Sequence, residues 1–195
     1  MRKSSVYNLV LVAMFAALIT VCAWISFPLP FTQVPISLAT MAVGITACLL
    51  GWKRGTLAVI VYVLLGIAGV PVFAQFSAGL GVIAGPTGGY IVGYIVFAFV
   101  TGILLSVWGR KKYTVLNVTG AVLIGLFFCY LLGTLWYVVS MHVTPIAALT
   151  LCVVPFIPGD ILKTIVTVIL AVRLKPVLAR MESGMQQKES AHKVA

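Results

Sequence analysis

The chain has 195 residues, of which 62% are hydrophobic and 8% are charged. Soluble domains carry about 25% charged residues, so the composition excludes a soluble domain and predicts an integral membrane protein. The net charge of +10 could suggest a nucleic-acid-binding protein. However, the basic residues form short clusters between apolar spans, where they meet anionic lipid headgroups, so we expect a lipid bilayer and no nucleic acid as the partner.

Hydropathy predicts one all-α membrane domain over residues 1–180, built as a bundle of six transmembrane helices. The predicted spans are residues 7–25, 37–50, 55–67, 88–108, 115–140 and 160–178. The third span is short for a bilayer that needs about 20 residues per helix. Residues 181–195 are polar and carry charges of both signs, so we expect a frayed cytoplasmic tail.

The positions of lysine and arginine predict the orientation of these spans. The basic residues outside the polar tail are Arg2, Lys3, Lys53, Arg54, Arg110, Lys111, Lys112, Lys163, Arg173, Lys175 and Arg180. Apart from Lys163, they lie before the first span, between the second and third, between the fourth and fifth, or at the end of the sixth. The other three connections contain none, so the positive-inside rule predicts that both termini are cytoplasmic. The three uncharged connections then meet at the outer face and could cover an outward-facing pocket, because non-helical backbone near a membrane must be buried in protein or line a cavity.

Asp160 is the only acidic residue in the apolar body of the chain, because Glu182 and Glu189 lie in the tail. An ionisable side chain inside a bilayer costs about 2.5–3.5 kcal/mol on insertion scales, which makes Asp160 a candidate functional residue. Lys163 follows three residues later, on the same face of a helix. Together they could hold a small acidic solute. The alternative is that Asp160 caps the helix and Lys163 extends to the membrane interface.

Residues 69–93 read GVPVFAQFSAGLGVIAGPTGGYIVG and predict a small-molecule pocket. Glycine allows backbone to approach a ligand closely. Aromatic and uncharged polar side chains supply the mixture of apolar surface and hydrogen bonds that is typical of such pockets. The aromatic residues are Phe73, Phe76 and Tyr90, and the polar residues are Gln75, Ser77 and Thr87.

This glycine-rich stretch also fits two other patterns. Glycines recur every four residues from Gly81 to Gly93, a pattern of close helix packing that accounts best for Gly89 and Gly93, since Pro86 predicts a turn before them. Residues 79–84 also match the GxGxxG/A dinucleotide pattern, but no βαβ unit or downstream acid surrounds them. The chain contains no GxxxxGK[ST] sequence, so we expect no P-loop ATP hydrolysis.

Three further patterns bear on partners, cofactors and catalysis. Ala13 and Ala17 form a second small-xxx-small pair, which could serve either contact inside the bundle or a partner-binding face. The four cysteines stand singly in apolar runs and predict core residues. His142 and His192 have no neighbouring ligands, so no metal site, cofactor or catalytic site is expected.

Four motifs together closely resemble the BioY family, the biotin-binding S components of energy-coupling-factor (ECF) transporters. They are FPLPFTQVPISL at 27–38, GVPVFA at 69–74, GPTGGY at 85–90 and PGDxxK at 158–163. The resemblance covers about residues 13–174. It implies a six-helix protein of a prokaryotic plasma membrane, with a biotin pocket near the outer face and no enzymatic activity. It also implies partnership with a T component and two ATP-hydrolysing subunits, with Ala13 and Ala17 docking the T component.

The residues and the resemblance together give the expected ligand-binding set. Its members are Gln33, Phe73, Ser77, Gly79, Gly89, Tyr90, Asp160 and Lys163. Two positions depart from the family pattern: Ala39 stands where glutamine is frequent, and Ile91 stands where some members carry a base. Each departure removes a possible polar contact to the vitamin.

Three alternatives to biotin uptake by an S component remain open at this point. The chain could be an S component for another small vitamin. It could be an autonomous secondary transporter, although no inverted repeat is visible. It could also be an intramembrane hydrolase, against which the sequence offers no second intramembrane carboxylate, no histidine pair and no nucleophile–base spacing.

Overall fold

The computed structural model describes residues 2–30, 32–108 and 113–194, with the backbone alone for residues 2–5, 182 and 185–194. The elements in chain order are α1 (Arg2–Trp24), β1 (Ser26–Leu29), β2 (Thr32–Ser37), α2 (Ala39–Ile67), α3 (Leu80–Ala84), α4 (Gly88–Trp108), α5 (Val115–Met141), α6 (Pro145–Cys152) and α7 (Ile157–Val194). Five helices of the described chain are long and apolar enough to cross a membrane: α1, α2, α4, α5 and α7, the last together with α6. A helix satisfies its own backbone hydrogen bonds, which is what a segment in lipid requires.

Helix α2 contains both the second and the third predicted spans and reverses direction between them. At Gly51, φ is 75° and ψ is −178°, a conformation that is essentially restricted to glycine. A Cβ atom added to Gly55 would lie 3.1 Å from the Cα atom of Ala47. Residues eight positions apart in a straight helix are separated by about 12 Å, so the two halves of α2 (39–50 and 52–67) pack side by side.

The reversal at Gly51 is capped by side chains from two other parts of the chain. The Tyr113 hydroxyl donates to the carbonyl of Cys48 at 3.0 Å, and Lys175 Nζ donates to the carbonyl of Leu49 at 2.7 Å. These carbonyls end the first half of α2, where the last carbonyls of a helix have no N–H donor from the helix itself. A cation near a helix C-terminus is also favoured by the helix dipole.

The end of the bundle that contains Gly51 carries several of the basic residues. Arg54 donates to Asn8 Oδ1 at 3.1 Å, which joins the beginning of α1 to this end. Lys53 and Lys175 lie nearby on α2 and α7. Arg110, Lys111 and Lys112 lie outside the described residues, and the side chains of Arg2 and Lys3 are not described either, so the structure places only part of the charge pattern.

Glycines bring the central helices into close contact. A Cβ atom added to Gly102 of α4 would lie 2.5 Å from Trp52 Cα, and one added to Gly133 of α5 would lie 2.3 Å from the ring of Tyr90. Small residues allow this approach, which is a common way of packing helices in membranes. Helix α2 packs against α1, α4 and α7, and α4 also packs against α5.

Two connections contain more regular structure than the sequence predicts, and the last helix is longer. The loop expected at 26–36 includes an antiparallel hairpin that pairs Ser26 with Ser37 and Leu29 with Thr32. Its prolines are tolerated because both strands of a two-stranded sheet are edges. The connection at 141–159 includes α6. Helix α7 begins at Ile157, three residues before the predicted start, and continues past residue 178 to Val194.

Candidate ligand-binding site

A cavity of about 250 Å³ lies at the end of the bundle opposite Gly51, and we call it the main cavity. It is enclosed by the end of α1, strand β2, both halves of α2, the α2–α3 connection (residues 68–79), α3 and the beginning of α4. Its lining residues are Ala23, Gln33, Val34, Pro35, Ser37, Ala39, Tyr62, Phe73, Ala74, Gln75, Ser77, Gly81, Val82, Gly85, Pro86, Thr87, Tyr90, Ile91 and Tyr94. The volume approaches the lower end of the ~300–1,000 Å³ typical of ligand pockets.

Two aromatic side chains form fixed apolar walls of the main cavity. Phe73 is 1% exposed and packs edge-to-face on Tyr62, with ring centroids 5.6 Å apart. Its ring covers Gly66, where an added Cβ atom would lie 2.0 Å away. Tyr90 is 7% exposed, and its hydroxyl lies 3.3 Å from Thr134 Oγ1. Contacts within the protein therefore hold both walls in place.

The α2–α3 connection covers the main cavity with an unusual backbone conformation. Gln75 and Phe76 have φ values of 58° and 57°, in the left-handed region that non-glycine residues seldom occupy. The Ser77 hydroxyl donates to the Ala74 carbonyl at 2.7 Å and closes this turn. Ser77 thus lines the cavity, but its hydroxyl proton is already used in the turn.

The end of α1 and the hairpin hold the α2–α3 connection in place. Trp24 Nε1 donates to the Pro71 carbonyl at 2.8 Å, and the Trp24 ring stacks on Phe76. The backbone N–H of Gln75 donates to Ser26 Oγ at 3.1 Å. Such external contacts are what a strained turn requires in order to persist.

A smaller space of about 30 Å³, the side cavity, adjoins the main cavity. The residues that line both are Val34, Pro35, Ser37, Tyr90 and Tyr94. The remaining lining residues of the side cavity are Thr40, Leu126, Cys129, Tyr130, Phe156, Asp160 and Lys163. Asp160 and Lys163 therefore lie beside the main cavity, separated from it by the residues that line both cavities.

Asp160 and Lys163 form a buried ion pair in the first two turns of α7. Lys163 Nζ lies 2.9 Å from Asp160 Oδ1, and the two residues are 8% and 6% exposed. The Tyr130 hydroxyl donates to the other carboxylate oxygen, Oδ2. Lys163 is therefore turned into the bundle and does not extend to the membrane surface. A buried pair of this kind is weak evidence for stability, because the cost of desolvation offsets the attraction between the charges.

Donor groups beside this pair remain available to a ligand. Asp160 is the one hydrogen-bond partner of Lys163 Nζ among the described residues, and an ammonium has three N–H groups. Thr40 Oγ1 is buried without a hydrogen-bond partner in the described part of the chain. Thr40 and Lys163 both line the side cavity and a neighbouring space of about 10 Å³. Buried polar groups without partners are rare and call for a bound water or ligand.

The structure brings together most of the residues that the sequence suggests for the ligand. Gln33, Phe73, Ser77 and Tyr90 line the main cavity, whereas Asp160 and Lys163 line the side cavity. Ala39 and Ile91, the two departures from the family pattern, both lie in the wall of the main cavity. Polar side chains at those two positions would point at the same space.

Gly79 and Gly89 line neither cavity. Gly79 has a φ of 92° and donates its N–H to the Gly66 carbonyl at 2.8 Å, which shapes the turn before α3. Gly89 packs on α5, where an added Cβ atom would lie 2.2 Å from Trp136 Cβ. A ligand contact for these two glycines stays a prediction.

The sequence reasoning missed Ser37, Thr40, Tyr94 and Tyr130. Tyr130 could have been found, because Tyr130, Thr134 and Tyr137 recur at i, i+4 and i+7 in an otherwise apolar span and so share one face of α5. Thr40 gave no such signal, since a single threonine in an apolar run is common.

The two alanines suggested as a partner-binding face lie away from the cavities. Ala13 and Ala17 are exposed on the outer surface of α1, together with Val10 and Met14. The four cysteines are unpaired. Within the described residues, no group of three histidine, cysteine or acidic side chains could hold a metal ion.

Comparisons with known proteins point to one family. The family model for the BioY family matches residues 1–180. A biotin transporter BioY of Thermotoga maritima is 43% identical over 169 residues, which cover 86% of this chain and 95% of that protein. A biotin transporter BioY of Rhodobacter capsulatus is 37% identical, covering 84% of this chain and 90% of that protein. A crystal structure of the S-component for biotin from an ECF-type ABC transporter is similar with a TM-score of 0.84 and 28% identity, covering 90% of this chain and 94% of that chain.

Proposed function

Because the chain belongs to the BioY family, whose members are transporter components and not enzymes, we propose that it is the S component of an ECF transporter and binds biotin for high-affinity uptake. The observation that carries the proposal is the buried Asp160–Lys163 pair beside a preformed cavity of about 250 Å³. The similarity to a solved S-component for biotin supports it. The host membrane would be the plasma membrane of a prokaryote.

The proposed orientation has six spans, with both termini cytoplasmic and the main cavity toward the outside. The reversal at Gly51 supports six spans, because it lets α2 supply two of them. The orientation is supported by Lys53, Arg54 and Lys175, which lie at the end of the bundle opposite the cavity, as the positive-inside rule expects of a cytoplasmic end. The three uncharged connections lie at the cavity end.

The charge balance of the side cavity favours one pose of biotin. Asp160 and Lys163 neutralise each other, so a ligand carboxylate placed beside them would be a buried anion without its own counter-charge, which is costly. The ureido ring of biotin is neutral and offers N–H donors to Asp160 and a carbonyl acceptor to Lys163. We therefore place the ureido end near the side cavity, and the valerate carboxylate toward Gln33 and Gln75.

The proposed partners are a transmembrane T component and two ATP-hydrolysing subunits. Ala13 and Ala17 are exposed on α1, where no other described element covers them. Two small residues one turn apart allow another helix to approach closely, which supports this surface as the docking site for the T component.

Calorimetry of the purified protein tests the ligand and its pose together. We expect biotin to bind with one molecule per chain, biotin methyl ester to bind with a small loss, and diaminobiotin, which lacks the ureido carbonyl, to bind far more weakly. The reverse order of the two analogues would place the carboxylate at Lys163. Absence of biotin binding would overturn the assignment, and binding of a different vitamin in its place would indicate an S component for that vitamin.

Uptake into vesicles tests the partners. Biotin accumulation should require the T component, both ATP-hydrolysing subunits and ATP. Robust accumulation by the isolated chain, driven by a proton or sodium gradient, would instead indicate a secondary transporter.

A further inference from the structure

The Asp160 carboxylate is held from two different helices. Lys163, which contacts Oδ1 at 2.9 Å, lies on the same helix one turn later and moves with Asp160. Tyr130 donates to Oδ2 from α5. Among the described residues, the Tyr130 hydroxyl is therefore the contact that holds the Asp160 carboxylate in place relative to the other helices.

Tyr130 is itself placed by the wall that separates the two cavities. Its ring packs edge-to-face on Tyr90, with centroids 6.3 Å apart and planes at 86°. The Tyr90 hydroxyl contacts the hydroxyl of Thr134. Thr134 lies one helical turn after Tyr130 on α5. One face of α5 thus supports both the aromatic wall of the main cavity and the acid behind it.

We propose that Tyr130 is a positioning residue, which holds the Asp160 carboxylate in the plane that accepts the ligand's N–H groups. The role rests on the proposed biotin site. The χ2 torsion of an aspartate is broad and roughly two-fold, so a carboxylate bonded at one oxygen can still turn. Bonds at both oxygens, from two helices, select one orientation before the ligand arrives. Such preorganisation raises affinity because less ordering remains to be done on binding.

The contact can be tested without any ligand, because Asp160 is the single aspartate of the chain. Protein made with ¹³C at the aspartate side-chain carboxyl gives one aspartate signal. We expect Tyr130→Phe, which keeps the ring, to shift that signal. Tyr113→Phe is the matched control, since it removes a hydroxyl bonded to Cys48 at the other end of the bundle. An unchanged signal in Tyr130→Phe would overturn the proposal.

Calorimetry then tests the consequence for biotin. Tyr130→Phe should weaken binding roughly ten-fold, the scale of one hydrogen bond to a charged group, whereas Tyr113→Phe should leave it unchanged. In an Asp160→Asn background, the additional Tyr130→Phe change should have little further effect. A residue that only supports packing would weaken binding equally in both backgrounds, and that result would refute the positioning role.

The two proposals fail in distinguishable ways. If the wild-type protein binds no biotin, the proposed function is wrong, and so is the role of Tyr130 in biotin binding. A wild-type protein that binds biotin, with equal affinity in Tyr130→Phe, overturns the role of Tyr130 alone.

Discussion

Trp24 and Phe76 stack with ring centroids 5.0 Å apart and planes at 29°. The contact joins the last turn of α1 to the α2–α3 connection, whose backbone is strained at Phe76 and the residue before it. Both rings remain partly exposed, at 37% and 61%. The stack therefore ties the connection that lines the main cavity to α1, without being part of the core.

Loss of this stack should shorten the residence time of the ligand. Phe76→Ala removes an aromatic pair worth about 0.5–1.5 kcal/mol, so we expect biotin to dissociate roughly 2–12 times faster, with a smaller change in association. Stopped-flow mixing with a fluorescent biotin derivative measures the association rate. Displacement of that derivative by excess biotin measures the dissociation rate. Phe127→Ala is the matched control, because Phe127 is also exposed and paired with a neighbouring ring, Phe128, but lies on α5. Equal dissociation rates in Phe76→Ala and the parent would show that the stack does not help to retain the ligand.

Removal of the amine at Lys163 should weaken biotin binding. Lys163→Ala loses a charged hydrogen-bond donor, at about 1.5–3 kcal/mol, or roughly 10- to 150-fold in Kd. The Kd is measured by calorimetry. Lys53→Ala removes an exposed lysine that lies over Trp52 at the opposite end of the bundle, and its Kd should equal that of the parent. Unchanged affinity in Lys163→Ala would rule out contact between this amine and the ligand.

An added methyl group at Gly133 should disturb the Tyr90 wall. Gly133→Ala places a Cβ atom 2.3 Å from the ring, and overpacking of this kind costs about 1–3 kcal/mol. We expect a lower thermal midpoint and weaker biotin binding. Gly120→Ala, on the same helix, meets its nearest atom at 3.5 Å and should be neutral or slightly stabilising, as alanine is the better helix former. Similar midpoints for the two variants would contradict the close contact.

The reversal at Gly51 should not tolerate a side chain. Gly51→Ala has open space around its Cβ atom but a φ of 75°, a strain of about 1–3 kcal/mol. We predict a lower thermal midpoint in detergent. Gly184→Ala, in a helix with equally open surroundings, serves as the control and should be slightly stabilising. A Gly51→Ala protein as stable as the parent would argue against the observed turn.

Bulky residues at Ala13 and Ala17 should abolish biotin uptake without weakening biotin binding. The Ala13→Leu, Ala17→Leu double variant should bind biotin as the parent does, because the two residues are far from the cavities, yet it should lose uptake when coexpressed with the partner subunits. Serine at both positions keeps the small size and should retain uptake. Normal uptake by the double leucine variant would rule out this face of α1 as the docking surface.

The cavity could be predicted in part because its polar residues stand out in an apolar sequence. Asp160 and Lys163 are conspicuous in a membrane span on energetic grounds alone, and the structure places them together. Phe73 and Tyr90 lie in a stretch whose glycines and uncharged polar residues predict a pocket. Phe73 and Tyr90 line the main cavity, Asp160 and Lys163 line the side cavity, and their contact with a ligand stays a prediction.

Other parts of the site depend on tertiary contacts that leave little mark on the sequence. The hairpin at 26–37 contains prolines that argue against a strand, and it is held by pairing with itself and by the neighbouring α2–α3 connection. The contact between Tyr130 and Asp160 joins residues 30 positions apart. The ligand role expected of Gly89 rests on a motif, and the same glycine also satisfies a packing contact with Trp136.

The turn at Gly51 also bears on the depth of the site. Twelve helical residues rise about 18 Å, while the hydrocarbon core of a bilayer is about 30 Å thick. The first half of α2, which runs from the Gly51 turn up to the floor of the main cavity, is thus shorter than a bilayer is thick, and its residues 42–50 are all buried in the protein. Because protein and not lipid surrounds that half, its length sets how deep between the other helices the floor of the main cavity lies.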